Sequence, residues 1–137
     1  MGWDVIGIER DPFLSTALKL SLEDVSRCAG LQSLLAGRLT FLHGDSITLL
    51  TTKSPDVVYL DPMFTARKKR SALPKKPAQV LQAIASIGDD QTLLSVARSV
   101  SPRVVVKRPI DGPPIAEPHL VFKGRLVRYD VYLNVNE

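Results

Sequence analysis

The chain has 137 residues and a mass of 15.1 kDa, with 45% hydrophobic and 23% charged residues, which is ordinary for one modest globular domain and excludes a disordered tail. No apolar run reaches the roughly 18 residues of a membrane helix, and the N-terminal residues lack the pattern of a secretory signal. The single cysteine, Cys28, cannot form an internal disulfide or build a metal site alone, so we expect a cytoplasmic protein without a metal. The net charge of +4 favours a polyanionic partner.

Short β-rich segments alternate with segments in which apolar residues recur at helical spacing. In chain order, the predicted elements are a strand over 3–8, a helix from Pro12 that ends at Gly30 or Gly37, a strand over 39–43, a helical turn over 47–50, a strand over 56–60, helices over 79–87 and 91–100, a strand over 103–107, a proline-rich loop over 108–118, and a closing antiparallel pair over 119–122 and 127–133. The alternation predicts an α/β fold, with a mostly parallel sheet and helices on both faces, in one domain over residues 1–137.

Two of these elements carry clear local signals. Asp11 and Pro12 predict the start of the first helix, because aspartate favours the N-cap and proline favours the first helical position. The strand over 56–60 is an almost continuous apolar run, which is typical of a strand that is buried on both faces.

The residues that follow each strand are candidate site residues, because ligands of open α/β sheets bind outside the carboxyl ends of the strands. Glu9 ends the first strand, where its carboxylate can accept hydrogen bonds from both hydroxyls of a ribose; a solvated acid at a strand end is the alternative. Asp45 and Ser46 follow the second strand. Asp45 can accept from an adenine amine with Ser46 nearby, and the alternative is an N-cap of the next helix.

The most specific motif, Asp61-Pro62-Met63-Phe64, follows the apolar strand over 56–60. It suits transfer of a methyl group to the exocyclic amine of a base, whose lone pair is delocalised into the ring. The Asp61 carboxylate and the Pro62 carbonyl can hold the two amine hydrogens, and Phe64 can stack on a flipped base. We therefore predict Asp61, Pro62 and Phe64 as catalytic residues; a turn with Phe64 in the core is the alternative.

A cationic segment follows this motif and contains no acid. We predict that it binds phosphates of a nucleic acid, together with two cations at the end of the strand over 103–107; a solvated face is the alternative. The predicted RNA-binding residues are Arg67, Lys68, Lys69, Arg70, Lys75, Lys76, Lys107 and Arg108.

The combination of these segments resembles a known family, the bacterial small-subunit ribosomal RNA guanine-N2 methyltransferases of the RsmJ type. The matching segments are Glu9-Arg10, 43–46, 57–64, 71–73, Lys75-Lys76, 104–109, Pro113-Pro114 and Lys123-Gly124. The resemblance implies a Rossmann-like class I fold with a C-terminal antiparallel hairpin, S-adenosyl-L-methionine (SAM) as cofactor, and an N2 of guanine in 16S ribosomal RNA as acceptor. It also implies cofactor contacts at Glu9, Arg10, Asp45, Ser46 and Asp61.

The resemblance covers only the C-terminal part of that family. Its members begin with a further half that contains the first sheet strand and a glycine-rich loop, so we expect both to be lacking here. We accordingly expect weak binding of the cofactor and self-association through open strand edges. Thr65 stands where the family usually has proline, and residues 110–112 also differ. The alternatives are a non-catalytic RNA-binding remnant, and an amino-methyltransferase that acts on another nucleic acid.

Overall fold

The structure is a computed structural model that describes residues 2–28, 38–62 and 90–134. In chain order its elements are β1 (Val5–Glu9), α1 (Pro12–Ser26), β2 (Leu39–His43), α2 (Ser46–Leu50), β3 (Val58–Leu60), α3 (Asp90–Val100), β4 (Arg103–Pro109), β5 (Leu120–Lys123) and β6 (Val127–Leu133). The chain divides into two compact units, Met1–Leu49 and Leu50–Glu137. One domain over residues 1–137 stays a prediction, and the predicted helix over 79–87 lies outside the described residues. Within the described ranges, none of the helices has the length and apolar character to span a bilayer.

The first unit contains a parallel pair of strands joined through α1. β1 and β2 pair in parallel, with Val5 opposite Leu39 at one end of the ladder. As predicted, Asp11 caps α1: its Oδ1 accepts from the backbone N–H groups of Phe13 and Leu14 at 2.8 and 2.9 Å. These bonds satisfy two of the amides that a helix start leaves without partners, so the local sequence determines where α1 begins.

α1 ends earlier than the sequence pattern predicts. Its last residue is Ser26, before both glycines at which an end was predicted. The backbone N–H groups of Arg27 and Cys28 bond to the carbonyl oxygens of Asp24 and Val25, three residues back, at 3.2 and 3.0 Å. This tightening of the last turn ends the α-helical ladder without a glycine.

The second unit contains a four-stranded sheet in the order β3-β4-β6-β5. β3 and β4 are parallel, whereas β6 pairs antiparallel with both β4 and β5, which confirms the predicted C-terminal hairpin. One side of this sheet forms the core together with apolar residues of α3. The fully or almost fully buried side chains here are Leu94, Ala97, Val104, Val106, Asp130 and Tyr132.

The prediction that the third strand is buried on both faces is wrong. Val58 and Leu60 are 6% and 7% exposed, whereas Tyr59 between them is 55% exposed. Successive side chains of a strand point to opposite faces, and in β3 only the side that carries Val58 and Leu60 is buried. An apolar run shows that a strand can be buried on both sides, but not that a covering layer packs on each.

β4 is two residues longer than predicted. Its register continues past Lys107, with Arg108 opposite Arg128 and Pro109 opposite Val127. The apolar run in the sequence stops at Val106, but the antiparallel partner keeps the backbone extended beyond that point. Arg108 and Pro109 therefore lie within the sheet rather than in the loop that follows it.

Candidate functional site

In the first unit, the carboxyl ends of β1 and β2 lie side by side. Glu9 is opposite His43 in the parallel ladder, and the backbone N–H of Gly44 donates to the carbonyl oxygen of Glu9 at 3.0 Å. The structure therefore brings the predicted site residues Glu9 and Asp45 to the same edge of the two-stranded sheet.

The Glu9 side chain is half-buried and folds over the start of α1. Its Oε1 accepts from the backbone N–H of Asp11 at 2.8 Å. A carboxylate has about four acceptor sites, so this bond leaves capacity for the two hydroxyls of a ribose. The bond also restricts the rotamers of Glu9, which prepares an acceptor of defined direction at this edge.

Asp45 has two structural partners. Its Oδ1 accepts from the backbone N–H groups of Ile47 and Thr48 at 2.9 and 3.3 Å, which makes it the N-cap of α2. Its Oδ2 lies 3.7 Å from Nη1 of Arg10, and both side chains are more than 40% exposed. Such exposed pairs contribute at most about 1 kcal/mol to stability. The alternative that the sequence left open for Asp45, an N-cap, is thus confirmed, while its contact with an adenine amine stays a prediction.

The backbone conformation of the turn around Asp45 explains why Gly44 is a glycine and where Ser46 lies. Gly44 has a φ of +155°, and a Cβ placed there would come within 2.8 Å of Cδ1 of Leu49. A side chain at this position is disfavoured by both the conformation and the space, so the turn between β2 and α2 depends on glycine. Ser46 is the first residue of α2, directly after the cap.

In the second unit, Asp61 directly follows β3, and its carboxylate forms an ion pair with Lys107 of β4. The distance from Nζ of Lys107 to Oδ2 of Asp61 is 2.8 Å, and the two side chains are 29% and 46% exposed. The parallel register places Leu60 opposite Val106, so the next residues of both strands are neighbours. The hydrogen bond to Asp61 is the main cause that raises the pKa of Lys107 above its ordinary value of 10.5, so the ammonium stays charged at neutral pH.

Two tyrosines flank this ion pair. Tyr59 is two residues before Asp61 on β3, and burial, followed by the negative charge of Asp61, raises the pKa of its phenol. Tyr129 lies opposite Lys107 in the ladder between β4 and β6. Sequence reasoning missed both tyrosines. The signal for Tyr59 was its position two residues from Asp61, which places both side chains on the same side of an extended chain.

Arg108 has internal partners in the second unit. Its Nη1 donates to Oδ2 of Asp90 at 3.1 Å, and Nε and Nη2 donate to the carbonyl oxygen of Pro113 at 3.2 and 3.0 Å. The Arg108 side chain is only 13% exposed. These contacts connect β4 with the first residue of α3 and with the proline-rich loop, so Arg108 has a structural role. Its predicted contact with RNA stays a prediction, as does that of Lys107.

Of the remaining predicted site residues, one lies within the described residues and seven lie outside them. Pro62 is described and half-buried. The others lie outside the described residues: Phe64, Arg67, Lys68, Lys69, Arg70, Lys75 and Lys76.

Comparisons with known proteins agree with this architecture. Residues 1–134 match the model of a family described as "Putative SAM-dependent methyltransferase". The chain is 40% identical, over an alignment of 141 positions, to the ribosomal RNA small subunit methyltransferase J of Pectobacterium atrosepticum. It is 37% identical, over an alignment of 143 positions, to that of Pseudoalteromonas atlantica. These matches cover 98% and 97% of this chain but only 56% and 55% of the relatives, so the chain spans about half their length.

A crystal structure shows the same fold. The SAM-dependent methyltransferase from Neisseria gonorrhoeae matches 98% of this chain and 57% of its own length, with a TM-score of 0.74 and 26% sequence identity. The α/β architecture, with candidate site residues at strand ends, is that of a Rossmann-like class I SAM-dependent methyltransferase. The chain belongs to the SAM-dependent methyltransferase family whose model it matches.

The residues at the ends of β1 and β2 fit the cofactor of this family. SAM carries a ribose diol and an adenine amine, which are both hydrogen-bond donors. Glu9 and Asp45 are carboxylates, which act as acceptors when they are ionised, and both lie at this edge. The two acceptors therefore suit the nucleoside end of SAM.

Proposed function

We propose that this chain takes part in the transfer of a methyl group from SAM to the exocyclic N2 of a guanine in 16S ribosomal RNA, a reaction of the cytoplasm. Two kinds of observation support the proposal. The family is described as SAM-dependent, and relatives are named ribosomal RNA small subunit methyltransferases. The second kind of observation is the geometry at Asp61.

The oriented carboxylate of Asp61 is the observation that carries the proposal. It is 46% exposed, and Lys107 holds its Oδ2 at 2.8 Å. The lone pair of a guanine amine is delocalised into the ring, so acceptors that hold the amine hydrogens must turn the lone pair towards the incoming methyl group. Asp61 accepts one of these hydrogens and the carbonyl of Pro62 accepts the other, while Phe64 stacks on the base.

The reaction needs orientation rather than strong acid or base catalysis. When bound, SAM would supply a methyl group on a sulfonium. The C–S bond breaks as the N–C bond forms, so the sulfur leaves as a neutral thioether, and the proton that the methylated amine loses passes to solvent. The side chains of this chain therefore have to place the amine in line with the methyl group, and proximity and orientation account for most of the rate. Asp61 is suited to that role because its carboxylate is held by a partner on the neighbouring strand.

The RNA part of the proposal depends on charge. The segment 67–76 contributes six cations without an acid, and the whole chain carries a net charge of +4. Neutralised phosphates release counterions, so such a surface binds RNA in a salt-dependent way. We assign the phosphate contacts to this segment.

The test is a methyl-transfer assay. The chain is incubated with small ribosomal subunits or deproteinised 16S RNA and isotopically labelled SAM, and the RNA is digested to nucleosides for mass spectrometry. We expect label in N2-methylguanosine, with Asp61→Ala slower by about 100-fold or more, as when other preorganised polar groups are removed from an active site. Asp56→Ala is the matched control, because Asp56 is an exposed acid just before the opposite end of β3.

The other outcomes separate the alternatives. RNA binding without any label would support a non-catalytic RNA-binding remnant. Label in another nucleic acid, or on another base, would support a different amino-methyltransferase. Equal rates for Asp61→Ala and the unaltered chain would overturn the assignment of Asp61.

A further inference from the structure

Lys107 donates a hydrogen bond to Asp61, the candidate acceptor for an amine hydrogen of the base. The sequence placed it among the cations that contact phosphate, but its Nζ lies 2.8 Å from Oδ2 of Asp61. The two residues are direct neighbours across the parallel pair of β3 and β4, since Leu60 is opposite Val106. The contact therefore joins the residue that directly follows β3 to a residue within β4.

Two tyrosines lie near Lys107 in the sheet. Tyr129 lies opposite Lys107 on β6, and the phenol of Tyr59 on β3 is close enough to affect the same charge. The Lys107 side chain is 29% exposed, whereas that of Asp61 is 46% exposed. The Lys107 side chain as a whole is thus less exposed than that of Asp61, and the Asp61 carboxylate stays accessible to a ligand.

We propose that Lys107 is a positioning residue for Asp61: it fixes Oδ2 so that Oδ1 faces the substrate amine. The inference rests on the proposed function of Asp61 and deepens it. An aspartate has two side-chain torsions, and without a partner its carboxylate samples several rotamers. A charge-assisted hydrogen bond from a neighbouring strand selects one of them, and such bonds are about twice as strong as neutral ones.

This role differs from phosphate binding in what it predicts. A cation that contacts phosphate contributes to RNA affinity and to its salt dependence. A cation that orients Asp61 contributes to the rate of the bound complex, because a misplaced acceptor slows a step that depends on alignment. The two roles therefore separate in kcat and in RNA affinity.

The test compares Lys107→Met, which keeps the length of the side chain without its charge, with Lys107→Arg, which keeps the charge and donors. We expect Lys107→Met to lower kcat for methyl transfer about 100-fold, with the Kd for 16S RNA changed less than about twofold, and Lys107→Arg to recover most of the rate. Lys123→Met is the matched control, because Lys123 is an exposed cation of the same sheet at the end of β5. It should leave both quantities unchanged.

A second readout does not depend on turnover. In protein labelled with 13C at the aspartate carboxyl carbons, the signal that disappears in Asp61→Asn reports the Asp61 carboxylate. We expect this signal to shift in Lys107→Met and to stay in place in Lys123→Met. An unchanged signal in Lys107→Met would overturn the inference, even if the unaltered chain transfers no methyl group.

The outcomes distinguish this inference from the proposed function. A loss of rate in Asp61→Ala with a normal rate in Lys107→Met would overturn the role of Lys107 alone. A lower RNA affinity in Lys107→Met, with a salt slope reduced by roughly 0.7–0.9 and an unchanged kcat, would make Lys107 a phosphate contact instead. A normal rate in Asp61→Ala would overturn the proposed function of Asp61 itself.

Discussion

The guanidinium of Arg108 donates to the carboxylate of Asp90 at 3.1 Å and joins the end of β4 to the first residue of α3. The same side chain also donates twice to the carbonyl oxygen of Pro113 in the following loop. One side chain therefore connects β4 with α3 and with the loop that directly follows β4.

Replacement of Arg108 should destabilise the fold. Arg108→Ala leaves Asp90 and the Pro113 carbonyl without their partner, and we expect a loss of about 1–3 kcal/mol in the free energy of unfolding. Arg108→Lys should recover only part of this, because an ammonium cannot reproduce the forked donor geometry. Urea denaturation followed by circular dichroism measures the effect, with Arg125→Ala in an exposed turn as the control. A stability within about 0.5 kcal/mol of the unaltered chain would contradict a structural role.

Alkaline pH should weaken the fold through Tyr132. Burial is the main cause that raises the pKa of this phenol above its ordinary value of 10.0, while the backbone N–H of Ala116, which donates to the phenol oxygen at 3.4 Å, acts in the opposite direction. The folded state binds this proton more tightly than the unfolded state. The contribution of Tyr132 is therefore complete below pH 10 and is lost as the pH rises through the pKa of the folded state.

The measurement is the urea midpoint as a function of pH between neutral and strongly alkaline conditions. Tyr132→Phe should be less stable at neutral pH, because the Tyr132 hydroxyl donates to the carbonyl oxygen of Ala116 at 3.0 Å. Its stability should also fall less steeply at alkaline pH. Some slope should remain, since the pKa values of Tyr59 and Lys107 are raised as well. Parallel pH profiles for Tyr132→Phe and the unaltered chain would show that Tyr132 is not the responsible group.

Loss of the Glu9 carboxylate should weaken binding of SAM. Charge-assisted hydrogen bonds contribute about 1.5–3 kcal/mol, so Glu9→Ala should raise the Kd at least about tenfold. Isothermal titration calorimetry measures the affinity, and Glu23→Ala is the control because Glu23 is an exposed glutamate on α1. An equal Kd for Glu9→Ala and Glu23→Ala would remove Glu9 from the cofactor site.

Neutralisation of the cationic segment should weaken RNA binding in a salt-dependent way. Replacement of Lys68, Lys69 and Arg70 by alanine should lower affinity for all RNA sequences alike and reduce the salt slope by roughly 0.7–0.9 for each phosphate that the protein no longer neutralises. Fluorescence anisotropy at several salt concentrations measures both quantities. Lys19→Ala, on the exposed surface of α1, is the control. If the affinity and the slope of the triple variant do not change, the segment is only a solvated surface.

Local chemistry in the sequence was sufficient for the order of the described elements, for the start of α1 and for the ends of β1 and β2. Asp11 followed by Pro12 predicts the start of α1 because the cap and the first helical residue act within one turn, and Asp11 does cap the helix. The positions of Glu9 and Asp45 at the ends of β1 and β2 could also be predicted from the local sequence. Each depends on where an apolar run stops, which is visible in the sequence alone.

Tertiary structure alone decided the partners of the charged residues and the burial of each face. Lys107 and Asp61 are 46 residues apart, and Arg108 and Asp90 are 18 apart, so only strand register and helix packing bring these charges together. Local propensity contains no information about register, which explains why both cations were assigned to RNA. The exposure of Tyr59 has the same origin, because a strand is buried on both faces only where other layers of the fold cover both.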